Sequence, residues 1–278
     1  MLVRILKLLL ALIFYILNRG SILLWSLWKR TWPGTLVVLM YHSVKPEQRN
    51  VFEHHMKALL NTGFPAGASP DSPLKKDRHH IAVTFDDGFQ SFAENALPVL
   101  VALNLPATCF VPTGYLGQKP GWIRDPGHAC AGETVMTEDQ LRQLPEHLIT
   151  IGSHGVTHLR LAEIGLEKAR GEMVESKRTL ERILDKPVTL LSFPHGSHDD
   201  AIAVLARQVG YERVFLNVPT FPASDTCGYL IGRIDISLDD WPLEYRLKLA
   251  GAYQWLPLAM RVKHELARTL NKRMRTKI

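Results

Sequence analysis

The sequence predicts a parallel α/β domain, either a barrel or a doubly wound sheet, from three observations. Seven short apolar runs alternate, for the most part, with longer segments of helical period. Those runs are continuous in Val, Ile, Leu and Phe, as expected of strands buried on both faces. Every unusual polar cluster follows such a run: His42, Asp86-Asp87, His154 with His158, and Pro194-His195. In either architecture the loops after the strands share one face, and function collects there.

The chain opens with an apolar run over residues 8–17 behind Arg4 and Lys7, shaped like a signal-peptide core but with no small-x-small cleavage site after it. Asn18-Arg19-Gly20 interrupts it, a second run covers residues 21–28, and Lys29-Arg30 follows. Neither run alone reaches the ~20 residues that cross a bilayer, and Arg19 sits between them. Residues 1–32 are therefore expected to be an uncleaved membrane anchor, either a strained single span or a hairpin in one leaflet. Trp25, Trp28 and Trp32 would lie at headgroup level. The competing reading is a buried N-terminal helix, where Arg19 would be equally awkward.

Residues 33–255 form the expected soluble domain. The first strand is expected at residues 36–40, ending on Tyr41-His42-Ser43. Phe52, Met56, Leu59 and Leu60 then mark one face of a helix that Gly63 stops. Residues 65–80 carry Pro, Gly, Ser and mixed charge and read as a surface loop. Further strands are expected at residues 81–85, 107–111, 148–152, 188–193, 213–216 and 229–236. Helices are expected near residues 89–103, 163–184 and 199–208. The glycine-rich stretch 112–135 suits a loop bordering a site. Residues 256–278 form a basic amphipathic helix, with Ala259, Val262, Leu266, Leu270 and Met274 at three- and four-residue steps. That helix lies on a membrane surface or, equally, docks on the domain with its basic face in water.

The net charge of +6 is unevenly placed. Residues 1–30 hold five Lys or Arg and no acid, and residues 259–278 hold seven against Glu265 alone. The stretch between keeps 21 basic and 26 acidic residues, so it has no excess of positive charge for nucleic acid. The basic ends instead suit anionic lipid. Cys109, Cys130 and Cys227 have no ligand spacing and support neither a disulfide framework nor a zinc knuckle.

Two adjacent carboxylates at a strand end repel each other and need a partner charge, most simply a metal cation. Taken alone, Asp86-Asp87-Gly88 reads more readily as an acidic turn capping the next helix. Gly152-Ser153-His154-Gly155-Val156-Thr157-His158 changes the balance, because it aims two imidazoles at one point. Two His and one carboxylate make a three-donor set for Zn²⁺ or a similar ion with a position left for water. The adjacent pairs His54-His55 and His79-His80 read as solvated surface residues.

Thr84-Phe85-Asp86-Asp87-Gly88, His154 to His158 and Ser192-Phe193-Pro194-His195-Gly196 resemble, in order and spacing, the first three motifs of the NodB-like polysaccharide deacetylases, carbohydrate esterase family four. The resemblance covers about residues 35–240 and implies a distorted barrel of the (β/α)7 type. It implies Asp86 as general base, Asp87, His154 and His158 as metal ligands, and the His195 backbone N–H in an oxyanion hole. Three departures stand out. Gly155 replaces a Ser or Thr of the second motif, and Ser192 stands where many members carry an Arg that orients the base. Arg233 is the expected substitute for that Arg. No Leu-x-His motif follows the last strand; instead residues 39–44 (Leu-Met-Tyr-His-Ser-Val) resemble the N-terminal motif of circularly permuted members such as poly-N-acetylglucosamine deacetylases. That makes His42 the expected general acid.

The resemblance thus implies a metal-dependent hydrolase that removes N-acetyl groups from an N-acetylated glycan, with Zn²⁺ the expected ion. A deacylase or deformylase of a lipid-linked sugar is the enzymatic alternative, and a glycan-binding subunit without catalysis the other. The basic, apolar ends place the expected protein at a membrane, the cell inner membrane first, with its side left open.

Overall fold

A computed structural model describes residues 1–28, 35–66, 78–219, 228–257 and 259. The strands are β1 (Thr35–Tyr41), β2 (Phe64–Ala66), β3 (His79–Phe85), β4 (Ala107–Val111), β5 (Ile149–Ser153), β6 (Leu190–Ser192), β7 (Arg213–Leu216), β8 (Leu230–Gly232) and β9 (Ile234–Asp235). The helices are α1 (Leu2–Trp28), α2 (Arg49–Thr62), α3 (Leu97–Ala102), α4 (Glu138–Arg142), α5 (Leu166–Leu184), α6 (Asp200–Val209) and α7 (Pro242–Leu249).

All strand pairs are parallel, in the order β8-β7-β6-β5-β4-β3-β1-β9, with β2 beside the first half of β3. The single strand expected over residues 229–236 is split. β8 pairs with β7 (Val214↔Leu230), β9 pairs with β1 (Leu39↔Ile234), and Arg233 alone separates them. This break nearly closes a parallel barrel of eight strands, where seven staves were expected. Strand periodicity then sorts the residues. Val38, Ala82, Phe110, Leu190 and Phe215 form one cluster, while Leu39, Tyr41, Val83 and Phe85 belong to a larger layer beneath the helices.

Local signals agree with the frame. Asp199 caps α6 by accepting the Ile202 N–H at 2.9 Å, and Gly210 ends it in the left-handed conformation (φ 98°). The helix expected near residues 89–103 opens instead as a π-turn, with the Leu97 N–H reaching the Phe92 carbonyl. Pro98 lies just beyond and has no N–H to give to the preceding turn. β2, α4 and α7 are short elements that the apolar patterning does not announce.

Two histidine expectations are overturned. His55 is buried and stacks on Tyr245 at 3.7 Å, and His80 is buried in β3 rather than solvated in a loop. His79, also in β3, pairs through Nε2 with the Leu249 carbonyl at 2.8 Å, whereas His54 is exposed. Packing of α7 on His55 and His79, and of Phe64 in β2 beside His80 at 6.2 Å, supplies what their sequence spacing does not reveal.

The N-terminal apolar runs form one continuous helix, α1, which excludes the hairpin. No helix among the described residues is long and apolar enough to cross a membrane. One face of α1 packs on the domain, with Ala11 fully buried. Arg19 avoids burial: it is exposed, with its guanidinium over the Tyr15 ring at 5.3 Å. The side chains of Trp25 and Trp28, and all of Trp32, lie outside the described residues. So does the C-terminal helix, apart from residues 256, 257 and 259, and so does Cys227. Cys109 and Cys130 are buried free thiols.

Candidate active site

The strand ends deliver the site. Asp86 and Asp87 follow β3, His154 and His158 follow β5, His195 follows β6, and His42 follows β1. All six line one cavity of about 360 Å³, together with Asn217 and the loop residues Trp122, Ile123, Arg124, Asp125 and His128. The long loop over residues 112–135 therefore does border the site. Three non-glycine residues in the cavity adopt left-handed backbone: Asp87 (φ 71°), His158 (φ 57°) and His195 (φ 57°). Such conformations cost about 1–3 kcal/mol each and concentrate where function fixes a side chain. Gly88 (φ 58°) completes the turn, and a Cβ there would meet Val111 at 2.9 Å.

Asp86 is held by a guanidinium from the break between β8 and β9, where the barrel comes round to meet β1. Arg233 Nη1 donates to Asp86 Oδ1 at 2.6 Å and Nη2 to Oδ2 at 2.7 Å, with both residues buried. Arg233 Nε donates to the Leu216 carbonyl, and its Nη atoms also reach Thr84, Ser192 and Asn217. The Phe110 and Phe215 rings flank it at 5.4 and 5.9 Å. Ser192, standing where relatives of the resemblance carry Arg, donates its hydroxyl to Asp86 Oδ2 at 3.2 Å and accepts from Arg233. Its small side chain leaves the space that Arg233 fills. Burial works to raise the Asp86 carboxyl, but Arg233 and His154 outweigh it and hold the group far below the ordinary carboxylate range.

Beside this pair, Asp87, His154 and His158 each offer one donor atom, all within 4.8 Å of one another. His154 Nδ1 donates to the Ser192 carbonyl at 2.8 Å, so in the neutral ring Nε2 carries a lone pair. Burial pushes the His154 pKa down to about 4, against the pull of Asp86, so the ring is neutral near pH 7. That lone pair faces Asp87 Oδ1 at 3.6 Å and Asp86 Oδ2 at 4.0 Å. His158 Nε2 also approaches Asp87 Oδ1 at 3.2 Å, yet Oδ1 is buried without an aligned hydrogen bond. Acceptors pointed at acceptors in a buried site are unfavourable until a cation lies between them. The residues present therefore fit a divalent ion.

The ligand loop has its own support. Glu172 on α5 accepts from the Val156 and Thr157 N–H groups at 2.8 Å each and from Thr157 Oγ1 at 2.6 Å. Gly155, the departure in the second motif, turns here at φ 75°, where a Cβ would lie 3.3 Å from Glu172 Oε2. Replacing Glu172 by Ala strips three bonds from the loop between the two imidazoles. It is expected to weaken metal binding about 10–100-fold while Asp87 and both His remain; zinc titration against a chelator of known affinity checks it, and unchanged affinity refutes it.

Sequence reading did not find Trp122, Asn217 or Glu172. Trp122 stacks on His158 at 4.4 Å and walls the cavity. Its only signal was the unusual length of its loop. Asn217 and Glu172 carried no signal, because each matters through a partner distant in the chain.

A nearly closed parallel barrel with a buried Asp-His-His donor set at its strand ends, next to a second carboxylate, defines a metal-assisted hydrolase. The polysaccharide deacetylase family model matches residues 74–214, half of the chain. The chain belongs to that family, and its activity is the hydrolysis of carbon–nitrogen bonds other than peptide bonds, removing N-acetyl groups. It is similar to YxkH of Bacillus subtilis (strain 168), whose name assigns it to polysaccharide deacetylases, at 27% identity over 224 residues, 76% of this chain and 75% of the relative. Among solved structures, IcaB from Ammonifex degensii has a TM-score of 0.65 at 22% identity, covering 79% of this chain and 97% of that one. The Streptococcus pyogenes deacetylase PplD, in complex with acetate, has a TM-score of 0.61 at 21% identity, covering 75% and 95%. Both likenesses are of fold.

Proposed function

We propose that the cavity hydrolyses the acetamide of N-acetylglucosamine units in a glycan, as permuted members of the family do. The observation that carries this reading is the convergence of Asp87, His154 and His158, with Asp86 clamped beside them by Arg233. The permuted assignment is supported by His42, which follows β1 ahead of the family match and lines the same cavity.

Asp87, His154 and His158 would hold the ion, Zn²⁺ by the chemistry of two imidazoles and one carboxylate. Bound there, it supplies a Lewis acid that polarises the amide carbonyl and acidifies water. Asp86, kept ionised and aimed by Arg233, takes the proton of the attacking water. The His195 N–H donates to the carbonyl oxygen as its charge develops, so that side chain is free to vary. His42, protonated, gives its proton to the departing amine, which leaves poorly as an anion. Trp122 excludes water from one side of His158.

The chain should bind one equivalent of zinc and release acetate from an N-acetylglucosamine oligomer. Chelation should abolish turnover and added Zn²⁺ restore it. Zinc bound without turnover on any acylated sugar would favour a glycan-binding subunit instead. The lipid-linked alternative draws support from the apolar outer face of α1, and a higher turnover on an acylated lipid-linked sugar than on the oligomer would select it.

A further inference from the structure

The helix α1 has two unlike faces. Leu8, Ala11, Leu12 and Tyr15 pack on the barrel core. Arg4 fastens the same face, donating through Nε to Glu244 at 2.8 Å and through Nη2 to the Asp239 carbonyl at 2.7 Å. On the opposite face Leu2 is 81% exposed, Leu6 56%, Leu9 51%, Ile13 54%, Ile16 60% and Leu17 67%. At steps of three and four these residues form one continuous aliphatic stripe. Beside Arg4, Trp241 and Leu243 are also exposed, at 36% and 50%, and Arg4 lies over the Trp241 ring at 4.5 Å. Scattered exposed leucines are ordinary, but a contiguous stripe of this kind marks an interaction surface.

We infer that this stripe docks on the leaflet of a lipid bilayer, with α1 lying in the interfacial plane and the barrel resting beside it. Charge favours lipid over another protein copy. Residues 1–30 carry five basic side chains and no acid, and residues 259–278 carry seven against one. Anionic headgroups complement that pattern, whereas two copies meeting at α1 would bring like charges together. Trp241 at the rim has the amphipathic ring that settles at headgroup depth.

The docked face fixes the orientation. Arg4 bonds to the segment following β9, and Leu8, Ala11, Leu12 and Tyr15 lie against the core along the turns that follow. The helix is therefore held lengthwise against the barrel. A helix held along its side cannot stand across a bilayer without drawing the barrel in with it. The catalytic cavity lies at the C-terminal ends of the strands, the same ends as the segment after β9 that Arg4 holds.

The inference stands apart from the catalytic reading, and flotation of the full chain tests it. The protein should float with phosphatidylcholine vesicles, more completely when phosphatidylglycerol is included, with the added part lost at high salt. The variant Leu6→Ser/Leu9→Ser/Ile13→Ser, which touches only the outer face, should reduce binding by roughly tenfold or more with zinc content unchanged. Leu9→Lys alone should act in the same direction. Flotation of the triple variant equal to the parent would overturn the inference, as would a parent that stays off vesicles and sediments as a dimer. Loss of acetate release with intact flotation would sink the catalytic reading alone.

Discussion

Substituting Asn for Asp86 is expected to reduce amide hydrolysis by about 10²–10⁴-fold, the range for removing a general base. The side chain keeps its shape but loses the charge that Arg233 grips at 2.6 and 2.7 Å. Asp87, His154 and His158 are untouched, so zinc content should survive, and that separates lost chemistry from lost folding. Acetate release from the oligomer, measured beside zinc content, decides it. An Asp86→Asn protein that turns over at the parent rate would refute the assignment of the base.

Arg233→Met should have the largest effect on stability, about 3–5 kcal/mol, the cost of leaving one partner of a buried ion pair uncompensated. Asp86 is 1% exposed and Arg233 fully buried, so water cannot replace the lost donors. The Leu216 carbonyl, Thr84, Ser192 and Asn217 lose a partner as well. Turnover should fall with stability, since the largest charge opposing the push of burial to neutralise Asp86 is then gone. Denaturant titration reads the first effect and acetate release the second. Adding Ser192→Arg to this variant puts a guanidinium back at the third motif and should recover part of both. A single variant as stable and as active as the parent would show that Arg233 does not hold Asp86.

Arg233 also shows how far the sequence could be read. Its involvement was an inference from a gap: Ser192 stood where a guanidinium was expected, so one had to come from elsewhere. Locally, residue 233 was marked only by its place near the end of the last expected strand. It meets a carboxylate 147 residues away because the last strand breaks there, one half on β7 and the other on β1. The His154 and His158 pair and the Asp86-Asp87 turn were legible, because each is a short motif at the end of an apolar run. The buried states of His55 and His80 were not, because neither α7, whose Tyr245 covers His55, nor β2, whose Phe64 lies 6.2 Å from the His80 ring, gives a periodic warning of where it packs. Trp122 was foreshadowed only by its loop.

The sequence by itself determined the parallel α/β class, the strand ends that carry polar clusters, and the identities of the donor residues. The first two follow from local patterns, continuous apolar runs and their abrupt charged stops; the third follows from the family resemblance of the short motifs at those stops. Tertiary structure alone decided that α1 is one helix fastened by Arg4 to the segment after β9. It alone decided that Glu172 braces the loop between His154 and His158 and that Arg233 reaches Asp86. Each of these depends on barrel closure, which sets distances between residues far apart in the chain, and no local period encodes them.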